Sequence, residues 1–110
     1  MTVKKEREFC EADRYHYDWL LCKKGYATID CAEDASYYGN WANPETFVLF
    51  TYAEGDCYTV TCDTAEEFVE EVNRTCQWMR DNTTFYGIDP GLKESAKQPW
   101  IDLGLEELLH

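Results

Sequence analysis

The clearest structural signal in the chain is the stretch TAEEFVEEVNRTCQWM, residues 64–79. Thr64 and Glu67 have the spacing of a capping box, in which the two side chains pair with backbone N–H groups that the first helical turn leaves unpaired. Apolar residues recur at steps of three and four and form one stripe, made of Ala65, Phe68, Val69, Val72, Cys76 and Met79. The pattern predicts an amphipathic helix from about Ala65 to Met79, which Asp81-Asn82 ends.

Upstream of this helix, two segments rich in β-branched and aromatic residues flank a short turn. The segments are Phe47 to Tyr52 and Cys57 to Cys62, and the turn between them contains Gly55. This arrangement favours a β-hairpin, in which Val48, Phe50 and Tyr52 share one face and Phe47, Leu49 and Thr51 the other. An alternative is a helix that begins at Asn43 as N-cap, with Pro44 in its first turn.

The remaining segments carry weaker patterns. We expect residues 1–8 to be a flexible arm, residues 5–14 a helix followed by a pair of strands that includes Tyr26–Ile29, and residues 32–46 a loop. Residues 83–110 are expected to form an irregular tail packed on the body. Because strand and helix patterns segregate, the sequence predicts one α+β domain over residues 1–110, with antiparallel hairpins packed against one main amphipathic helix.

Composition narrows the function classes. The chain has 110 residues with 10 Lys+Arg and 22 Asp+Glu, so its formal net charge is −12, and 15% of its residues are aromatic. Such an aromatic content is typical of a folded chain, and a charge this negative excludes an autonomous nucleic-acid binder. No apolar run approaches the ~18 residues of a membrane span, and the charged N-terminus does not have the pattern of a signal peptide. We therefore expect a cytoplasmic protein that contacts no membrane.

The cysteines do not suggest a cofactor or a metal. Six are present (Cys10, Cys22, Cys31, Cys57, Cys62 and Cys76), without the closely spaced pairs of a zinc site, so we expect six free thiols. Cys22 lies six residues from His16, but no local motif marks either as activated. We expect no catalytic residues, no metal and no cofactor.

Acidic residues concentrate on the predicted helix. Those opposite the apolar stripe or at the helix start are Asp63, Glu66, Glu67, Glu70 and Glu71. A solvated face that promotes solubility is one interpretation. The other is a binding surface for a protein partner with a basic groove, which a net charge of −12 favours.

Three aromatic residues lie in the predicted loop: Tyr37, Tyr38 and Trp41, with Gly39 and Asn40 between them. They either pack in the core or face outward. Exposed beside acidic residues they would anchor an interface, since Tyr and Trp are frequent at binding hot spots. Carboxylates and aromatic rings together are suited to an inhibitor that occupies a basic groove.

The segment Trp41-Ala42-Asn43-Pro44-Glu45-Thr46-Phe47 resembles the W-x-N-x-E-T-W/F signature of small proteins of plasmids and phages. In size and acidity the chain also resembles phage anti-defence proteins, namely anti-CRISPRs and DNA-mimicking antirestriction proteins. The resemblance implies a viral inhibitor that binds a host CRISPR effector complex or its nuclease and blocks target DNA binding or cleavage. Two other hypotheses stay open: an intracellular adaptor or structural protein-binding domain, and a small enzyme using Cys22, His16 or a carboxylate pair.

The cysteine pattern leads to a first prediction about folding. Thermal melts recorded with and without a reductant and a chelator should coincide within about 2 °C, because the fold is expected to need neither disulfide nor metal. A drop in Tm above roughly 10 °C on either addition would contradict this, since it would mean that a cross-link or metal had been lost.

Overall fold

The computed structural model describes residues 1–5, 25–33, 38–53, 56–91 and 93–110. These residues form six strands, two α-helices and two single turns of 3-10 helix, Glu94–Ala96 and Glu106–Leu108. The elements in chain order are β1 (Thr2–Lys5), β2 (Ala27–Cys31), β3 (Tyr38–Asn43), β4 (Val48–Ala53), β5 (Asp56–Thr61), α1 (Ala65–Asn82), β6 (Phe85–Asp89) and α2 (Gln98–Asp102). The strands form one antiparallel sheet in the order β1-β5-β4-β3-β2-β6. The predicted α+β class, with antiparallel strands against one main helix, is confirmed.

Helix α1 begins at the predicted residue and ends three residues beyond the predicted Met79. The Thr64 hydroxyl accepts the Glu67 N–H at 3.2 Å, as a capping box requires. The Glu67 carboxylate accepts the Asp63 N–H at 3.0 Å, one residue before the N-cap. At the other end the Thr83 N–H donates to the Met79 carbonyl at 2.8 Å. Both ends of α1 are therefore capped by its own sequence.

The β4–β5 hairpin is confirmed, with register from Val48↔Thr61 to Ala53↔Asp56. The helix-start signal at Asn43 belongs instead to a single turn that leads into β4. The side-chain oxygen of Asn43 accepts hydrogen bonds from the N–H groups of Glu45 and Thr46 at 3.0 and 3.3 Å. The backbone carbonyl of Asn43 accepts one from the Phe47 N–H at 3.0 Å. The chain then leaves the turn with a positive φ of 61° at Phe47, so the helical pattern does not continue.

The expectation of a loop over residues 32–46 is wrong, because β3 (Tyr38–Asn43) lies in the sheet between β2 and β4. Gly39 and Asn40 are poor strand formers, and side-chain contacts explain both. A Cβ at Gly39 would lie 2.3 Å from the indole of Trp41, so the glycine makes room for that ring. The Asn40 side-chain oxygen accepts the Thr51 hydroxyl proton at 2.6 Å.

The two ends of the chain are also more regular than expected. Residues 2–5, predicted as part of a flexible arm, are β1 and pair with β5 from Thr2↔Thr61 to Lys5↔Tyr58. The predicted irregular tail contains β6, which pairs with β2 through a bulge where Gly87 has a φ of 119°. The first residue of the helix predicted over residues 5–14, Lys5, belongs instead to β1. The rest of that helix and the strand predicted to follow it before residue 25 lie outside the described residues.

The main core lies between α1 and one face of the sheet. Buried residues there come from the α1 stripe, from four strands and from the C-terminal segment: Ala27, Ile29, Ala42, Leu49, Phe68, Val72, Cys76, Met79, Ile88, Trp100, Leu105 and Leu108, with Cys62. The opposite sheet face also buries large rings, namely Trp41, Phe50 and Tyr52. The predicted two-faced alternation of β4 is therefore correct, and both of its faces are buried.

Phe68 tests the packing of α1. Its ring is fully buried, with centroids 5.7 Å from Phe47 and 5.8 Å from Trp100. Phe68→Ala should lower the free energy of unfolding by roughly 3–5 kcal/mol in urea titrations. Val69→Ala, at a half-buried position on the same helix, is the control and should cost less than about 1.5 kcal/mol. A cost below about 1 kcal/mol for Phe68→Ala would contradict this packing.

Candidate functional site

The acidic charge is unevenly distributed along the chain. Residues 25–110 hold 17 acidic and four basic residues, a formal charge of −13, whereas residues 1–24 carry +1. The part of the chain that contains β2 to β6, α1 and α2 therefore carries the whole acid excess. A surface of this kind attracts cations and basic polypeptides over a distance of about one Debye length.

The four glutamates predicted on the outer face of α1 divide into two pairs. Glu66 and Glu70 are exposed, one helical turn apart. Glu67 is half-buried and occupied by the cap at the helix start. Glu71 is 16% exposed and forms an ion pair with Arg74. The expected row of four outward carboxylates is therefore reduced to Glu66 and Glu70.

Asp63 is exposed and lies at the start of α1, where the helix dipole favours a negative charge. Its carboxylate contacts the ammonium of Met1 at 2.9 Å, and that ammonium is also 3.5 Å from Glu67. The hydrogen bond from Asp63 raises the pKa of the Met1 ammonium. Asp63 thus has an ion pair of its own, which joins β1 to the start of α1.

The predicted aromatic anchors are only partly supported. Tyr37 lies outside the described residues. Trp41 is 2% exposed, with its ring centroid 5.6 Å from that of Phe50. Of the two alternatives it therefore takes the first, packing in the core, and it is not an exposed anchor. Strand alternation in β3 directs it to the buried sheet face opposite α1. Tyr38 is half-buried, and this burial raises the pKa of its hydroxyl, an effect that Asn40 partly offsets.

Trp78 is the surface aromatic residue that the sequence analysis missed. It is 45% exposed, and its ring centroid lies 4.9 Å from that of Tyr38 with an interplanar angle of 36°. Trp78 follows Glu67 by eleven residues, about three turns, so it lies on the same side of α1 as that glutamate. The exposure of Trp78 could therefore be predicted from the helical spacing, which places it outside the apolar stripe.

A second group of titratable residues lies where β2 and β6 pair. Thr28 is opposite Asp89 and Asp30 is opposite Gly87, so Asp30 and Asp89 are diagonal neighbours on one sheet face. The His110 N–H donates to the Ile88 carbonyl at 2.9 Å, which holds His110 beside the same strand. Burial, followed by the charge of Asp89, raises the pKa of Asp30, and His110 opposes this shift. Ionised Asp30 is therefore an unfavourable charge in the folded protein.

The described residues offer little for catalysis. Cys31, Cys62 and Cys76 are free thiols, and burial raises the pKa of Cys76 to about 11, which keeps it protonated and unreactive. Among the same residues no group of three or more His, Cys, Asp or Glu side chains is placed to hold a metal ion. His16 and Cys22 lie outside the described ranges. A cleft of about 70 Å³ beside Trp100 is lined by one titratable side chain, Glu45.

No helix in the described part of the chain is long and apolar enough to cross a membrane.

The raised pKa of Asp30 predicts how stability changes with pH. The folded state binds this proton more tightly than the unfolded state, so stability is lost as pH rises from the ordinary value of 3.8 through the folded-state pKa. Asp30→Asn should therefore raise the Tm at pH 7, and the gain should shrink at pH 3. Glu45→Gln, which removes an exposed carboxylate, is the control and should shift the Tm by less than about 1 °C. A lower Tm for Asp30→Asn at pH 7 would contradict the prediction.

Comparison with protein-family models, with curated proteins and with solved structures finds no match for this chain. A proposal about function therefore rests on the sequence and on the chemistry of the described residues.

Proposed function

We propose that this protein is a non-enzymatic acidic inhibitor, a viral anti-CRISPR that acts in the host cytoplasm. It binds a basic nucleic-acid or nuclease-recruitment surface of a host CRISPR effector and blocks target DNA binding or cleavage. The observation that supports a basic partner is the charge of −13 over residues 25–110, with Glu66 and Glu70 exposed on a capped helix. The assignment to CRISPR machinery comes from the resemblance to anti-defence proteins.

The spacing of the exposed carboxylates suits mimicry of a nucleic-acid strand. Glu66 and Glu70 are separated by ~6 Å along the axis of α1, at 1.5 Å per residue. This separation is comparable with that of neighbouring phosphates. Asp81, also exposed, continues the acidic surface towards the end of the helix. A basic groove built for phosphates can therefore meet carboxylates at similar intervals.

The helix presents these charges in a fixed geometry. Four of its residues, one in each of successive turns, are fully buried against the sheet: Phe68, Val72, Cys76 and Met79. The cap at Thr64 and the ion pair of Glu71 with Arg74 involve neighbouring side chains and leave Glu66 and Glu70 exposed. Because the backbone is already ordered, binding costs little conformational entropy beyond that of the glutamate side chains.

The decisive experiment reverses the two exposed charges. Glu66→Lys/Glu70→Lys should abolish protection of target DNA when the protein is assayed with a panel of purified CRISPR effector complexes. The wild type should lower target DNA binding at a stoichiometric ratio, less strongly as salt rises, since the Debye length falls from ~10 Å at 0.1 M to ~3 Å at 1 M. Glu67 and Glu71 are left unchanged because they support the fold.

The matched control is Glu106→Lys/Glu107→Lys, which makes the same change of charge at two exposed positions outside α1. It should retain inhibition, and circular dichroism should show that both double variants are folded. Undiminished inhibition by Glu66→Lys/Glu70→Lys would contradict the acidic-helix mechanism. Absence of inhibition by the wild type across the panel would contradict the anti-CRISPR assignment and favour the adaptor hypothesis.

A further inference from the structure

Trp78 is the one apolar ring on α1 that does not join the core of that helix. The residues of the apolar stripe at Phe68, Val72, Cys76 and Met79 are fully buried, whereas Trp78 is 45% exposed. Exposing a large ring to water is unfavourable by about 25 cal/mol for each Å² of apolar surface. Such a residue is typical of a binding hot spot, where a partner covers it.

The ring of Trp78 is held in position by β3. Tyr38, the first residue of that strand, stacks on it at 4.9 Å between centroids. The Asn82 side-chain amide donates to the backbone carbonyl of Trp78 at 2.9 Å. Tilted ring pairs of this kind are favourable beyond the area they bury. The indole is therefore oriented before any partner arrives.

The electrostatic surroundings of Trp78 favour a cation. It lies in the last turns of α1, where the partial negative charge of the helix dipole is located. Asp81, exposed, follows it by three residues and so lies beside it on the helix surface. Arg74, four residues before Trp78, is also a neighbour, but its charge is paired with Glu71. The aromatic face adds a negative quadrupole to these charges. The Asp81 carboxylate accepts a hydrogen bond from the Gln77 side-chain amide at 3.0 Å. A carboxylate has further acceptor positions, so a cationic side chain can bond to it and cover the indole together.

We propose that Trp78, oriented by Tyr38, receives an arginine side chain of the basic partner. A planar guanidinium can stack on an indole and still donate in its own plane to a carboxylate, whereas a lysine ammonium acts as a point charge. The fold already contains one contact between a guanidinium and an aromatic ring, since the guanidinium carbon of Arg80 on α1 lies 4.8 Å from the ring centroid of Phe85 on β6. This inference rests on the proposed function, because the proposed function takes the partner to be basic. The inference adds Trp78 as the residue that anchors the partner.

The test compares two peptides of equal charge, nona-arginine and nona-lysine, binding to the full chain. Wild-type protein should bind nona-arginine about three- to ten-fold more tightly than nona-lysine. The indole N–H signal of Trp78 in an NMR spectrum, assigned with Trp78→Phe, should move most strongly with the arginine peptide. Trp78→Ala should reduce the preference to about one while leaving the nona-lysine affinity within about two-fold. Trp78→Phe should retain part of the preference.

Tyr86→Ala is the matched control, because Tyr86 is 54% exposed on β6 and lies outside α1. Tyr86→Ala should bind nona-arginine more tightly than nona-lysine by the same factor as the wild type. An unchanged preference in Trp78→Ala, or its loss in Tyr86→Ala as well, would overturn the assignment of Trp78 even when both peptides bind. Failure of both peptides to bind the wild type at low salt, or binding that Glu66→Lys/Glu70→Lys does not weaken, would instead contradict the proposed function itself.

Discussion

The packing of Phe68 between Phe47 and Trp100 is the contact on which the rest of the structure depends. It joins the turn before β4, the first turns of α1 and the C-terminal segment at a single buried ring. Burial of such a ring contributes several times the free energy of any single surface ion pair. Because α1 is fixed through its apolar side, its opposite side is fixed as well. The positions of the exposed carboxylates and of Trp78 follow from this contact.

The helix and the β4–β5 hairpin were predictable because their signals are local. A capping pair, an apolar stripe and a short Gly-containing turn each lie within one segment. Strand β3 was not predictable from the strand propensities of its residues, since Gly39 and Asn40 favour a loop. Only the indole of Trp41, which needs the space at Gly39, and the hydroxyl of Thr51, which bonds to Asn40, make the strand favourable. Tertiary contacts override local propensity there.

The acidic residues of the candidate site were predictable from the sequence, but the contacts that each of them makes were not. The sequence identified the acidic residues of α1, but Glu67 and Glu71 differ from Glu66 and Glu70 only through their contacts. The exposure of Trp78 follows from the helical spacing, but its contact with another ring does not. Its partner Tyr38 is forty residues away along the chain, and pairings of that separation leave no periodic trace in the sequence.

The proposed function gives the unpaired charges of α1 a role that solubility alone does not require. Like charges one turn apart, as at Glu66 and Glu70, cost a helix a few tenths of a kcal/mol. Glu67 and Glu71 offset such repulsion through the cap at Asp63 and the ion pair with Arg74. Solubility alone would be served equally well by interspersed charges of both signs. The helix dipole offsets part of this repulsion at Glu66, which lies in the first turn of α1. A basic partner would relieve the repulsion that remains, most of all at Glu70.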